Sequence, residues 1–248
     1  MKASVSPRIL VIALAAIAGT MLRLPAQDVV VQKNNLRSEG QVLGVVDGKL
    51  KIKIGPAETS IALDQVASVT KAAPAAYENA LAEWQKGDGP KTLAVLKPLV
   101  DTFRGLPTSW AERASALIGE VFLSLDQIPA AEAAFANFQK AYPGAASLSD
   151  IGLARLAVSK KDFATAKAKL APIVAEAAKV KMADSVKSAT YGQAFYLMGV
   201  VREAEGAYPE ALRDYLMAVT LFYEDKAVVA KAQERATFLA SEKKAIVP

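Results

Sequence analysis

The sequence predicts a mainly α-helical protein with a small antiparallel β module ahead of the helices. Three observations predict it. Alanine, the strongest helix former, is abundant, and beyond residue 74 proline and glycine recur almost only where they would punctuate helices of roughly 12–20 residues. Between residues 28 and 70 the pattern instead alternates, with turn signals between short apolar stretches. In the helical part, one spacing of small and aromatic residues recurs.

Composition narrows the chemistry. The chain is 52% hydrophobic and 22% charged, a globular balance. It has no cysteine and no histidine, so disulfides, thiolate nucleophiles, imidazole acid–base catalysis and His- or Cys-ligated metals are not expected. The net charge of +5 does not point to nucleic acid. Three of the 30 basic residues, Lys2, Arg8 and Arg23, lie near the N-terminus, and the remainder nearly balances 25 acidic residues without a basic stripe.

Residues 1–26 read as a signal peptide. Lys2 and Arg8 give a basic start, Ile9–Gly19 is a continuous apolar run, and Thr20–Ala26 ends in a small residue suited to cleavage. The run is too short to span a bilayer, which takes about 20 apolar residues. The expected location is therefore periplasmic or secreted; the alternative is an uncleaved N-terminal anchor.

Residues 27–73 read as four short strands. Val29–Val31 precedes an Asn34-Asn35 turn, and Arg37–Val46 and Lys49–Ile54 flank Asp47-Gly48, a strong hairpin signal because both turn residues need positive φ. Leu50, Ile52 and Ile54 share one face and Lys49, Lys51 and Lys53 the other, read as solvated, with contact to an anionic surface as the alternative. After Gly55-Pro56, Thr59–Leu63 resumes, with Val66 and Val69 extending its apolar pattern to Thr70. The order of turns resembles an Sm-like or SH3-like barrel. So small a module buries little core alone and should pack on the helices or on another copy.

Residues 74–245 read as helical hairpins after the Ala72-Ala73-Pro74 junction. Gly119 is followed after twelve residues by Ala131 and four later by Phe135; Gly199, Ala211 and Tyr215 repeat the spacing. Gly152 and Ala164 repeat the first interval, with Ala168 where the aromatic should stand. Small residues let two helices approach, and the ring fills the space one turn on. Leu96–Val100 also echoes Leu170–Val174. The stretches Ala116–Pro143, Ile151–Val174 and Phe195–Val219 resemble the tetratricopeptide repeat family. The interval from Gly152 to Gly199 exceeds the family period by about a dozen residues, and the surplus is assigned to 175–188. A capping helix is expected over Lys226–Glu242.

The resemblance implies function on the concave surface lined by the first helix of each pair. Its groove positions fall on Arg113, Glu120, Gln193, Tyr196 and Glu203. Ala116, Ala146, Ser149, Leu153, Leu156 and Val200 occupy other groove positions, so the groove should be mildly apolar and unlike a carboxylate clamp. Trp84 and Trp110 are read as packing between hairpins, with a ligand platform as the alternative. Gly87–Thr92 lacks phosphate-loop spacing and reads as an inter-helix turn. Asp150 and Asp162 read as helix-start residues, and Glu203, Glu205 and Asp214 as polar-face residues rather than an acid–base pair. The expectation is an exported, non-enzymatic scaffold that binds a protein or peptide partner, with no catalytic, cofactor or metal site and no nucleic acid. The alternative is an assembly subunit of the cell envelope that uses its β module for self-association or for contact with membrane or cell wall.

Overall fold

The computed structural model describes residues 27–180 and 184–247; the expected signal peptide lies outside the described residues. The chain is mainly helical, with one small antiparallel sheet at its N-terminal side.

That sheet comprises β1 (Asp28–Gln32), β2 (Arg37–Val46), β3 (Lys49–Ile54), β4 (Ala57–Ala62) and β5 (Val66–Thr70), in the order β4-β3-β2-β1-β5. The expectation of four strands is corrected to five. A 3₁₀ turn at Leu63–Gln65 breaks the run, and the chain crosses to the far edge, where β5 pairs with β1. The Asp47-Gly48 turn has the anticipated conformation, with φ of 50° and 71°. β2 is shared lengthwise: Arg37–Gly40 pair with β1, and Gln41–Val46 with β3. Inward-facing Val30, Val42, Leu50 and Ile52 are essentially fully buried and belong to one core with Tyr77, Ala80, Leu96 and Leu106 of the helical part. The module thus packs on this chain's own helices.

The helices are α1 (Ala75–Gln85), α2 (Gly89–Phe103), α3 (Ser109–Ser124), α4 (Ile128–Ala141), α5 (Asp150–Ser159), α6 (Phe163–Ala177), α7 (Ser185–Ala204), α8 (Tyr208–Thr220) and α9 (Lys226–Ser241). The first eight form four consecutive hairpins closed by the same turn. A left-handed residue ends each first helix: Gly87 (φ 79°), Asp126 (57°), Lys161 (59°) and Gly206 (78°). The next residue, Asp88, Gln127, Asp162 or Ala207, donates its N–H to the carbonyl five residues back. This closure satisfies carbonyls that the helix end would otherwise leave unpaired.

Seven residues before each left-handed position stands a small buried anchor, Ala80, Gly119, Ala154 or Gly199. Twelve residues after each anchor comes buried Thr92, Ala131, Ala166 or Ala211; four later comes buried Leu96, Phe135, Leu170 or Tyr215. Glycine goes with an aromatic ring and alanine with leucine. The reason is volume: a Cβ built on Gly119 would lie 2.4 Å from the Phe135 ring, and one on Gly199 2.6 Å from the Tyr215 ring.

The atoms nearest a Cβ at Gly119 or Gly199 are those of the Phe135 and Tyr215 rings, as the filling role of those rings requires. One expectation is corrected by this register. In the third hairpin the anchor is Ala154, with Ala166 and Leu170, because Ala164 is exposed at the second position of α6, where Pro90, Pro129 and Pro209 stand in the other hairpins. Gly152 instead faces the preceding hairpin, and a Cβ there would meet both the Phe135 ring and Glu120 Oε1 at 2.3 Å. The surplus length before the fourth hairpin lies between the end of α6 and Ser185 and in α7 itself, which runs for 20 residues. α9 closes the array against α8, and Asp225 Oδ1 caps it by accepting from the N–H groups of Ala227 and Val228, each at 3.1 Å.

Candidate functional site

Helices α3, α5 and α7, the second helix α6 and the 3₁₀ stretch Pro143–Ser149 ahead of α5 line a cleft of about 400 Å³, with Trp84 of α1 at its side. Its wall includes Glu120, Leu148, Ile151, Arg155 and Tyr191. Packing between hairpins builds this wall. Gly152 leaves room for Glu120 Oε1, and Glu120 Oε2 accepts from Arg155 Nη1 at 2.5 Å, joining α3 to α5. Burial raises the Glu120 pKa above the ordinary carboxylate range, against the opposing pull of Arg155.

Further along, the Tyr191 hydroxyl donates to Glu176 Oε1 at 2.7 Å. Burial, and then the Glu176 carboxylate, push the Tyr191 pKa up to about 12, while the same bond holds Glu176 below its ordinary value. Lys187 Nζ stands 3.6 Å from Glu176. Gln193 Nε2 donates to Asp225 Oδ2 at 2.8 Å, tying the cleft to the start of α9. Between these paired groups the cleft is lined by Leu117, Leu148 and Ile151 together with Ser147 and Thr190. Leu148, 46% exposed, stands out most.

Of the five groove residues expected from the resemblance, Glu120 and Gln193 line this cleft. Arg113 is exposed on α3 but lies outside the cleft wall. Tyr196 and Glu203 serve the α7–α8–α9 contact instead. The Tyr196 and Tyr215 ring centroids lie 5.9 Å apart; Glu203 accepts from the Tyr215 hydroxyl at 2.8 Å and from Arg235 Nε at 3.1 Å, with a second contact to Arg235 Nη2. Glu203 faces inward because α9, the expected capping helix, brings Arg235 against its end of α7.

The two tryptophans divide. Trp110 is buried, packs edge-on against Phe103 with ring centroids 5.2 Å apart, and donates Nε1–H to the Lys71 carbonyl. Trp84 is half-buried in the cleft wall. The expectation missed Leu148, Ile151, Arg155 and Tyr191 as cleft residues. Arg155 had a legible signal: it follows anchor Ala154 by one, as Glu120 follows Gly119.

The remaining carboxylates are dispersed among separate pairs. Asp150 meets Lys169 at 3.0 Å, Asp162 caps α6, Glu205 meets Lys167 at 2.6 Å and Asp214 meets Arg202. Among the described residues no group of three or more acidic side chains converges as a metal site would require, and no helix is long and apolar enough to cross a membrane. Compared with known proteins, the chain matches no family model, no curated protein and no solved structure.

Proposed function

We propose that the chain is an exported binding scaffold, a tetratricopeptide-like array that takes an amphipathic helix or extended segment of another protein into the cleft between α3, α5 and α7. The carrying observation is how the cleft distributes polarity. Glu120 is paired with Arg155, Glu176 with Tyr191 and Lys187, and Gln193 with Asp225, which leaves exposed Leu148, with half-buried Leu117 and Trp84, to meet a partner. Apolar side chains entering such a cleft gain burial without breaking an internal pair. The scattered carboxylates favour this binding role over catalysis, and the export-type N-terminal sequence puts the partner in the periplasm or outside the cell.

A photo-crosslinking residue at Leu148, used in intact cells and read by mass spectrometry, tests this reading. One recurrent protein segment, lost when half-buried Trp84 is replaced by aspartate, is the expected result. Labelling as diffuse as that from an exposed position on α9 would end the proposal.

A second reading, self-assembly through the β module, draws on the sheet edges. β4 pairs only with β3 and β5 only with β1 among the described residues, and most of β4 is exposed. Concentration-dependent oligomers in analytical ultracentrifugation would favour it, and a monomer at every concentration would remove it.

A further inference from the structure

Asp28 opens β1 and is held firmly: its Oδ2 accepts from the Val42 N–H at 2.8 Å and from Lys71 Nζ at 2.9 Å, with both charged side chains largely buried. Gln27 stands one residue ahead, exposed and outside the strand. Beside it a cleft of about 500 Å³ is walled by Gly40, Gln41, Lys53 and Lys71. Cleavage after Ala26 would therefore put the new N-terminus at a glutamine immediately before the first fixed residue of the fold.

An N-terminal glutamine carries its own electrophile. Its uncharged α-amine can reach the side-chain Cδ and form a five-membered lactam. The new N–Cδ bond replaces the Cδ–Nε2 bond, and Nε2 leaves as ammonia with a proton from the attacking amine. No other reactant is needed. α-Amines titrate at about 7.7–8.0, so a sizeable share is neutral near pH 7. The local charges do little to retain the ammonium. In the cleft that Gln27 borders, the Asp28 carboxylate is already committed to Lys71 and the Val42 amide, and Lys53 adds a second positive charge.

We infer that the mature chain begins at Gln27 and that this residue is closed to pyroglutamate, a modification that blocks the N-terminus and removes its charge. The inference rests on the export reading, and one measurement separates their failures. The full chain is produced in an export-competent bacterium, recovered from outside the cytoplasm, and its N-terminal peptide identified by mass spectrometry. The expected peptide begins at residue 27, weighs one ammonia less than the free glutamine form and resists stepwise amine-directed degradation, whereas Gln27→Ala yields an unblocked peptide from the same position. A free amine on Gln27 after prolonged incubation at neutral pH overturns the cyclisation alone. An N-terminus at any other residue overturns both the cleavage position and the inference built on it.

Discussion

Arg202 on α7 holds both carboxylate oxygens of Asp214 on α8, with Nη1 at 2.7 and 2.6 Å, and Asp214 is 1% exposed. The pair stitches the fourth hairpin together one turn from the Gly199–Tyr215 contact. Burial nonetheless dominates the carboxyl and pushes its pKa up to about 6, although Arg202 and Arg213 pull it down.

A pH dependence follows. The folded-state pKa is raised above the unfolded value, so the native state binds this proton more tightly. Its stabilising contribution is complete below about pH 4 and is lost as pH rises through about 6, a change on the order of 2–3 kcal/mol. Asp88, Asp162 and Glu176, whose pKa values are lowered, act in the opposite sense. Urea unfolding of the wild type and of Asp214→Asn at pH 4, 5, 6 and 7 isolates the Asp214 contribution. The wild type should lose ground to the variant as pH rises; a constant difference would contradict the assignment.

Lys161 holds the left-handed position that glycine fills in the first and fourth hairpins, at φ 59°. A non-glycine residue there costs roughly 1–2 kcal/mol, partly offset because glycine has more freedom to lose on folding. Lys161→Gly should therefore raise stability by about 0.5–1 kcal/mol, measured by chemical denaturation. Gly87→Ala and Gly206→Ala should each lower it.

Partner binding through the cleft should depend weakly on salt, because its charged groups are already paired within the protein. Leu148→Asp should weaken binding roughly tenfold or more. Leu148 is exposed, so melting temperature should hardly change. Isothermal titration against the segment identified by crosslinking, at low and high salt, checks both statements.

Much of the architecture was legible because local chemistry dictates it. Asp47-Gly48 announces its hairpin, and the Gly119 and Gly199 spacings announce two pairs of helices. The fifth strand was hidden because Val66 and Val69 continue the apolar pattern of the fourth, and only the turn at Leu63–Gln65 separates them in space. The third hairpin was misregistered by two residues because the sequence there offers several small side chains, and periodicity cannot say which one meets a neighbour. Gly152 looked like an anchor by residue type, yet its lack of a side chain serves the contact with Phe135 and Glu120 of the previous hairpin. That slip concealed Arg155. Glu203 was misread for a different reason: the sequence announces a capping helix after residue 225 but not that its Arg235 meets Glu203.

Each hairpin is fixed by one small anchor matched in volume to one large partner, and this match sets the helices around the cleft. A double-mutant cycle on Gly119 and Phe135 measures that match. Gly119→Ala overpacks the contact and should cost about 1–3 kcal/mol, while Phe135→Leu leaves space and should also destabilise. Together they install the alanine–leucine match found at Ala80–Leu96 and Ala154–Leu170, so the double variant should recover at least about 1 kcal/mol relative to the sum of the single losses. Strictly additive losses would show that Gly119 and Phe135 are not matched in volume.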